Sequence, residues 1–344
     1  MSVLNVSIVI PTFNRAHLIE RAVKSVISQM LPDDELIVVD DASTDNTEQI
    51  IEPYRGQLTY YKIPNLGAGG ARNHGIRKST RPLVAFLDSD DEWMPGKLYL
   101  QRTLMAALSD ILFCFSNFAV TDNSGNEFHR FLFNWNRDER SWDEILNPGR
   151  PFSSIGALPD GYSDFNFYTG DMGLNEFQRA YILTSSLMVR REAAGDAFRF
   201  AEDVSTFEDF ECFGRLSLKG TACYLDCETA WQHGHSGDRL TDIADLRRSS
   251  ANLKILERVW GQDAAFRARY AELYQEVIDR ARCDLIGDLL RCGQSARARE
   301  ELGRLHDRPL AYTLASALPG PVASAAMKLR HRLKARRWPP QPVV

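Results

Sequence analysis

The stretch "VSIVIPTFNRAHLIERAVKSVISQMLPDDELIVVDDASTDNT" (residues 6–47) sets the fold class. It holds two short apolar runs, "NVSIVIP" (5–11) and "ELIVVDD" (35–41), with little alternation of polar and apolar residues. Runs of that kind suit strands buried on both faces, as in a parallel sheet. Between them Leu18, Ala22, Val26 and Met30 recur every four residues with charges opposite, which predicts an amphipathic helix. Two more runs follow, "LTYYKIP" (58–64) and "PLVAFLD" (82–88). Asp45, three residues before Glu48, marks a helix start between the second and third runs. Strands alternating with helices imply a doubly wound α/β domain.

The remaining chain is less regular. "DILFCFSNFAV" (110–120) and "YILTSSLMVRR" (181–191) read as strands. Residues 133–178 are rich in aromatics, Asp, Gly and Pro and show no clean period. Such a stretch inside a compact domain is usually functional or flexible. From about 238 the pattern turns helical. No acid follows Asp307, and the chain closes on the cationic, partly amphipathic "AAMKLRHRLKARRW". The expected organisation is a domain over 1–237, divided at 91/92, followed by a helical region over 238–344.

Bulk composition excludes several classes. With 344 residues, 44% hydrophobic content and a formal charge of −5, the chain reads as globular, with no electrostatic signature of nucleic-acid binding. Its six cysteines form no CxxC pair and no zinc spacing, so free thiols are expected. No secretory signal opens the sequence, and no apolar run reaches the roughly 20 residues of a membrane span. A cytoplasmic location is the expectation.

In open α/β sheets, ligands bind beyond the carboxyl ends of the strands. Here those ends carry "PTFNR", "DDASTDNT", "NLGAGGARNHG" and "DSDDEW". One rim would therefore gather Asp40, Asp41, Asp88, Asp90 and Asp91 beside Arg72 and a glycine-rich turn. Like charges so close call for a cation among them, and carboxylates with an arginine suit a divalent metal bound with a diphosphate. "GAGGAR" followed by Asp88 mimics a dinucleotide fingerprint, but that fingerprint belongs to the first strand–helix turn. The first turn here is "IPTFNR", which argues against NAD. Each acid also has a plainer reading: Asp favours turns and caps, so Asp41 and Asp45 can be structural. Trp135, Trp142, Tyr162, Phe165 and Tyr168 could stack on a sugar or simply pack their loop.

Five ordered segments, "VSIVIPTFNRAHLIERAVKSVISQ", "IVVDDASTDNT", "NLGAGGARNHGI", "FLDSDDEWMPGKL" and "FEDFE", resemble the family 2 inverting glycosyltransferases of GT-A fold, over about residues 5–241. The resemblance implies a Rossmann-like, mostly parallel central sheet with a C-terminal helical extension. It implies backbone around Pro11 and Thr12 bordering the nucleotide base, Asp40 bonding that base, and Arg72 facing the phosphates. Asp88 and Asp90, with Ser89 between them, would form the Asp-x-Asp element, Asp90 being the direct ligand of Mn²⁺ or Mg²⁺ and Asp88 reaching the ribose or the metal. Asp209 would be the catalytic base, supported by Glu208. His235 would approach the metal or diphosphate, although His233-Gly234-His235 departs from the family's Arg-x-His. The implied partners are a nucleoside-diphosphate sugar, UDP-linked or similar, and a glycan or lipid-linked acceptor in bacterial polysaccharide synthesis. Peripheral contact with the inner surface of the membrane through 319–344 fits such an acceptor. A sugar nucleotidyltransferase and a non-catalytic nucleotide-sugar scaffold are the alternatives. The first lacks its basic glycine loop after strand one, and the second would not need acids at every chemical position.

Overall fold

The structure, a computed structural model, describes residues 4–204, 206–234 and 245–337. Among the described residues, eleven strands form one mixed sheet. They are β1 (Val6–Thr12), β2 (Glu35–Asp40), β3 (Thr59–Lys62), β4 (Leu83–Phe86), β5 (Asp91–Trp93), β6 (Ile111–Thr121), β7 (Glu127–Phe128), β8 (Arg150–Pro151), β9 (Asn166–Gly170), β10 (Met188–Arg190) and β11 (Thr221–His233). The order is β3-β2-β1-β4-β10-β6-β11-β9-β8, with β5 on β11 and β7 on β6.

The four apolar runs become the parallel half β3-β2-β1-β4. Every residue of β1 is buried, as expected of a strand covered on both faces. β10 joins the halves by pairing antiparallel with both β4 and β6, and β11 resumes the parallel direction beside β6. The sheet is thus doubly wound and mostly parallel in its core. "YILTSSLMVRR" yields only a three-residue strand, because Thr184–Ser186 coil into a 3-10 turn.

The first helix covers Ile19–Ile27 and buries Ile19, Ala22, Val23 and Val26. Its contact stripe therefore starts one residue later than the every-four reading, with Leu18 at the cap and Met30 beyond the end. A stripe at i, i+3, i+4, i+7 tracks the 3.6-residue turn better than strict fours. The next helix, Thr47–Ile51, is held by Asp45, whose Oδ1 accepts from the Thr47 backbone at 3.0 Å and its hydroxyl at 2.5 Å. Asp45 Oδ2 accepts from Ala16 at 3.0 Å. Asp45 is structural, and no Asp45–Glu48 capping box forms.

The aperiodic middle is built of short helices (Leu132–Asn136, Trp142–Ile145, Gly173–Gln178) and the strands β8 and β9. Its aromatics mostly pack. Trp142 is buried and stacks on Tyr224 with centroids 3.7 Å apart, while Tyr168 is buried beside them. Trp135 is exposed and meets Phe118 edge-on. No periodicity announced this cluster because its rings come from separate loops and strands.

The chain divides into two compact units, Met1–Asp203 with Glu208–Ser236, and Val204–Phe207 with Gly237–Val344. The second contains six helices among its described residues: Asp245–Val259, Ala264–Arg269, Ala271–Arg291, Ser295–Gly303, Leu310–Ala317 and Gly320–Arg337. Ile255, Trp260, Ile286, Leu289 and Leu290 form its core. All six cysteines are free, as expected.

Candidate active site

The loops after β1 and β2 are stitched together. Asn14 donates from its backbone to the Ser43 hydroxyl at 2.8 Å, and Thr44 donates to Asn14 Oδ1 at 2.8 Å. Thr12 lies opposite Asp40 in register, with Pro11 opposite Val39. The Thr12 hydroxyl is buried without a partner, so it is available to a ligand at this strand end. Asp40 is fully buried. One of its oxygens accepts from the Ser43 backbone at 2.6 Å and the other from the Tyr60 hydroxyl. The expected base-binding carboxylate is therefore engaged with its own loops here. A carboxylate has about four lone-pair sites, so these bonds leave it acceptor capacity for a base. Asp41 accepts from Leu66 at 2.7 Å and Gly67 at 2.8 Å, which fixes the entry to the Gly67–Lys78 helix. Burial raises its pKa from the ordinary aspartate value.

That helix explains the glycines. A Cβ on Gly69 would overlap the Ala201 carbonyl oxygen and crowd the Glu208 Cβ, and one on Gly75 would overlap Val9. Close approach, not phosphate cradling, accounts for both positions. Gly69→Ala is expected to destabilise the fold by about 1–3 kcal/mol. A thermal or urea midpoint equal to wild type would refute the overlap.

Arg72 is buried within this helix. Its guanidinium donates to Glu208 Oε1 at 2.8 Å and to Asp88 Oδ1 at 2.6 Å, and its carbon sits 5.2 Å from the Phe200 ring centre. The arginine expected to face phosphates instead clamps two carboxylates from distant parts of the chain. Asp88 keeps 27% of its side chain exposed, as does Asp90, whose Oδ2 lies 3.8 Å from Arg15. Burial, followed by the charge of Asp90, raises the Asp88 pKa even though Arg72 opposes the shift. Ser89 between them is buried.

Asp91 parts company with its neighbours. It is buried in β5 and accepts from the Ser185 hydroxyl at 2.6 Å. Burial first, then Asp90 and Asp88, hold its pKa well above the carboxylate range. Its carboxylate is thus tied to the Ser185 hydroxyl. Ser185 also accepts the Asp88 backbone N–H at 3.2 Å, so one hydroxyl spans the acid motif. No sequence signal marked Ser185, because "YILTSSLMVRR" reads as a strand throughout.

Glu208 and Asp209 open the Glu208–Lys219 helix. A helix N-terminus favours a carboxylate's ionised form. Burial opposes this and wins: together with the neighbouring Glu208 charge it lifts Asp209 to about 7, against the pull of Arg72. Thr184 donates to Asp209 Oδ2 at 3.4 Å. Glu176, unmarked by any motif, is fully buried; its Oε2 accepts from Tyr181 at 3.0 Å and its Oε1 has no partner. Burial chiefly raises it to about 8, with a smaller push from Asp209. Two acids thus titrate near neutrality in one region, which is a signature of acid–base sites.

His235 lies outside the described residues. His233 Nε2 lies 3.0 Å from Glu92 Oε2. Among the described residues no three His, Cys, Asp or Glu side chains converge as a ready metal cage. Asp88 and Asp90, as partly exposed hard-oxygen donors with mutual repulsion, fit a hard divalent cation that takes its other ligands from a phosphate or water.

Residues 7–168 match the model of Glycosyl transferase family 2. Over those residues the chain is similar to a family 2 glycosyltransferase domain. The chain is similar to an Escherichia coli UDP-Glc:alpha-D-GlcNAc-diphosphoundecaprenol beta-1,3-glucosyltransferase, WfgD, 36% identical over 35% of this chain and 47% of that protein. It is also similar to a Campylobacter jejuni GalNAc(5)-diNAcBac-PP-undecaprenol beta-1,3-glucosyltransferase, 37% identical over 27% of this chain and 31% of the other. The chain thus spans about half or less of the length of these curated relatives. In fold, the chain matches residues 1–349 of Staphylococcus aureus TarS, crystallised with UDP-GlcNAc, at a TM-score of 0.58 and 17% identity over 96% of this chain and 92% of the other. The GT-A architecture expected from the motifs is therefore the architecture present.

Proposed function

We propose that this chain is a metal-dependent inverting glycosyltransferase that moves a sugar from a nucleoside-diphosphate sugar to a hydroxyl of a lipid-linked glycan. The observation that supports this most is Asp209. It is a carboxylate raised to about 7, tied through Glu208 and Arg72 to Asp88 of the Asp-x-Asp element. A general base works best when its pKa lies near the operating pH. In the proposed reaction Asp209 takes the proton of the acceptor hydroxyl as that oxygen attacks the anomeric carbon, and the nucleoside diphosphate leaves from the opposite face. No covalent intermediate is required.

Pro11, Thr12 and Asp40 are assigned to the nucleotide, and Asp88 and Ser89 to the sugar-nucleotide side. Arg72, in this reading, holds the two carboxylates in place and offers the phosphates a positive potential. Asp90, with Asp88, would hold Mn²⁺ or Mg²⁺, which when bound neutralises charge on the departing diphosphate. His235 remains assigned to the metal or diphosphate. The chemistry is assigned to residues 1–237 and the helical region 238–344 to placing the enzyme at the cytoplasmic face of a membrane. UDP as the nucleotide is supported by the relative named for UDP-Glc and by the fold match crystallised with UDP-GlcNAc.

Two experiments test the assignment. A panel of nucleotide sugars should show Mn²⁺-dependent release of nucleoside diphosphate, and transfer only with a hydroxyl acceptor. A panel with no release at all would leave a non-catalytic scaffold as the better reading. Asp90→Ala is expected to abolish the metal-dependent part of nucleoside-diphosphate binding in calorimetry. Binding that keeps its Mn²⁺ dependence would remove Asp90 from the metal site.

A further inference from the structure

Ten large apolar side chains are exposed among the described residues, and five of them fall within one short segment. They are Leu310 (72% exposed), Leu314 (61%), Leu318 (38%), Val322 (52%) and Leu329 (59%). Isolated exposed leucines need no explanation, but a row of them does. The first three are spaced four apart and Val322 follows after four more, across the Leu310–Ala317 helix and the start of the Gly320–Arg337 helix. Residues 309–327 contain no charged residue. Ala315, Ser316, Ala323 and Met327 are buried, so the segment is seated on one side and open on the other.

The charge pattern beyond it is equally one-sided. After Asp307 the chain has no acid and seven Lys or Arg, six of them between Lys328 and Arg337. From Lys328 to Arg337 the apolar residues are Leu329, Leu333 and Ala335 alone. The basic end therefore contributes mainly charge. The apolar component lies upstream, in Leu310–Ala317.

We infer that Leu310, Leu314, Leu318 and Val322 form an insertion face for an anionic lipid bilayer, with the basic stretch 328–337 supplying the electrostatic attraction. Stable peripheral binding takes two signals, an inserted apolar element and a polybasic patch. This segment has both in adjacent turns. A protein partner would need an apolar surface ringed by acids, whereas an anionic membrane presents that chemistry over any area. No described helix is long and apolar enough to cross a membrane, so the element lies in the interface plane. The face deepens the proposed action on a lipid-linked acceptor by assigning the residues that hold the enzyme there. The binding itself does not depend on that activity.

The test is vesicle flotation of the full chain with two compositions, phosphatidylcholine alone and phosphatidylcholine with phosphatidylglycerol. Wild type is expected to float with the anionic vesicles, weakly with the neutral ones, and less as salt rises. Leu310→Gln with Leu314→Gln should lower partitioning by roughly tenfold or more, with circular dichroism and metal-dependent diphosphate release unchanged. Failure of wild type to float with anionic vesicles would overturn the inference. So would a wild-type dimer in light scattering that the double variant breaks while vesicle binding stays the same, since a second copy would then be the occupant. A chain that floats but turns over no nucleotide sugar sinks the proposed activity and leaves the membrane face standing.

Discussion

Asp209→Asn is expected to lower sugar transfer by about 10²–10⁴-fold, the range a positioned general base contributes. Asparagine is nearly isosteric, keeps an oxygen for the Phe210 N–H that Asp209 accepts at 2.7 Å, and can donate its amide to the Thr184 hydroxyl, so folding and donor binding should survive. The effect should fall on turnover and not on KM for the donor. Because the base must be unprotonated, kcat/KM of wild type should fall about tenfold per pH unit below a limb near pH 7, the value to which burial and Glu208 raise Asp209, and level off above it. An unperturbed base would place that limb near pH 4. Transfer to the true acceptor at the wild-type rate by the variant, or a flat profile from pH 5 to 8, would remove Asp209 from the role.

Arg72→Met carries the second large effect. Arg72 donates to Asp88 and Glu208 at once, and only 5% of its side chain and 9% of that of Glu208 is exposed. Removing one member of a buried ion pair costs about 3–5 kcal/mol because the remaining charges lack compensation. The loss should sit toward the lower end, since Asp88 is partly solvated. Urea denaturation measures it. Arg72→Lys should rescue little, because an ammonium is a point charge and cannot reproduce the planar fork. The same substitution removes a charge that lowers the Asp209 pKa, so in Arg72→Met the acidic limb should move above pH 7. A variant with the wild-type urea midpoint and the wild-type limb would show that Arg72 is not the clamp between these carboxylates.

The parallel half of the sheet was legible because its evidence is local. β1, β2 and β4 are continuous apolar runs, and a strand buried on both faces has to be written that way. The acid-rich loops were legible for the same reason, since each lies within a few residues of its strand end. The antiparallel β10 was misread in extent, because "YILTSSLMVRR" has strand-like composition throughout while Trp93 Nε1 and Lys97 Nζ take the Ser185 and Ser186 carbonyls. That competition for backbone acceptors shortens the strand and is invisible in a single run.

At the site itself, residue types were readable and their partners were not. Arg72 looked like a phosphate ligand, yet its bonds reach 16 and 136 residues along the chain. Asp91 looked like the equal of Asp90 until burial under Ser185 separated them. Glu176 carried no motif at all; only the packing that buries it makes its unpartnered oxygen significant. For Asp209 the helix start argued for a low pKa, and desolvation reversed the sign. By itself, then, the sequence determined the strands, the loops that carry the chemistry and the family these motifs resemble, because periodicity and strand-end composition are properties of neighbours along the chain. Tertiary structure alone decided which carboxylates are solvated, which are clamped and which titrate near neutrality. Those properties follow from charge, distance and exclusion of water, and folding sets all three by bringing remote residues together.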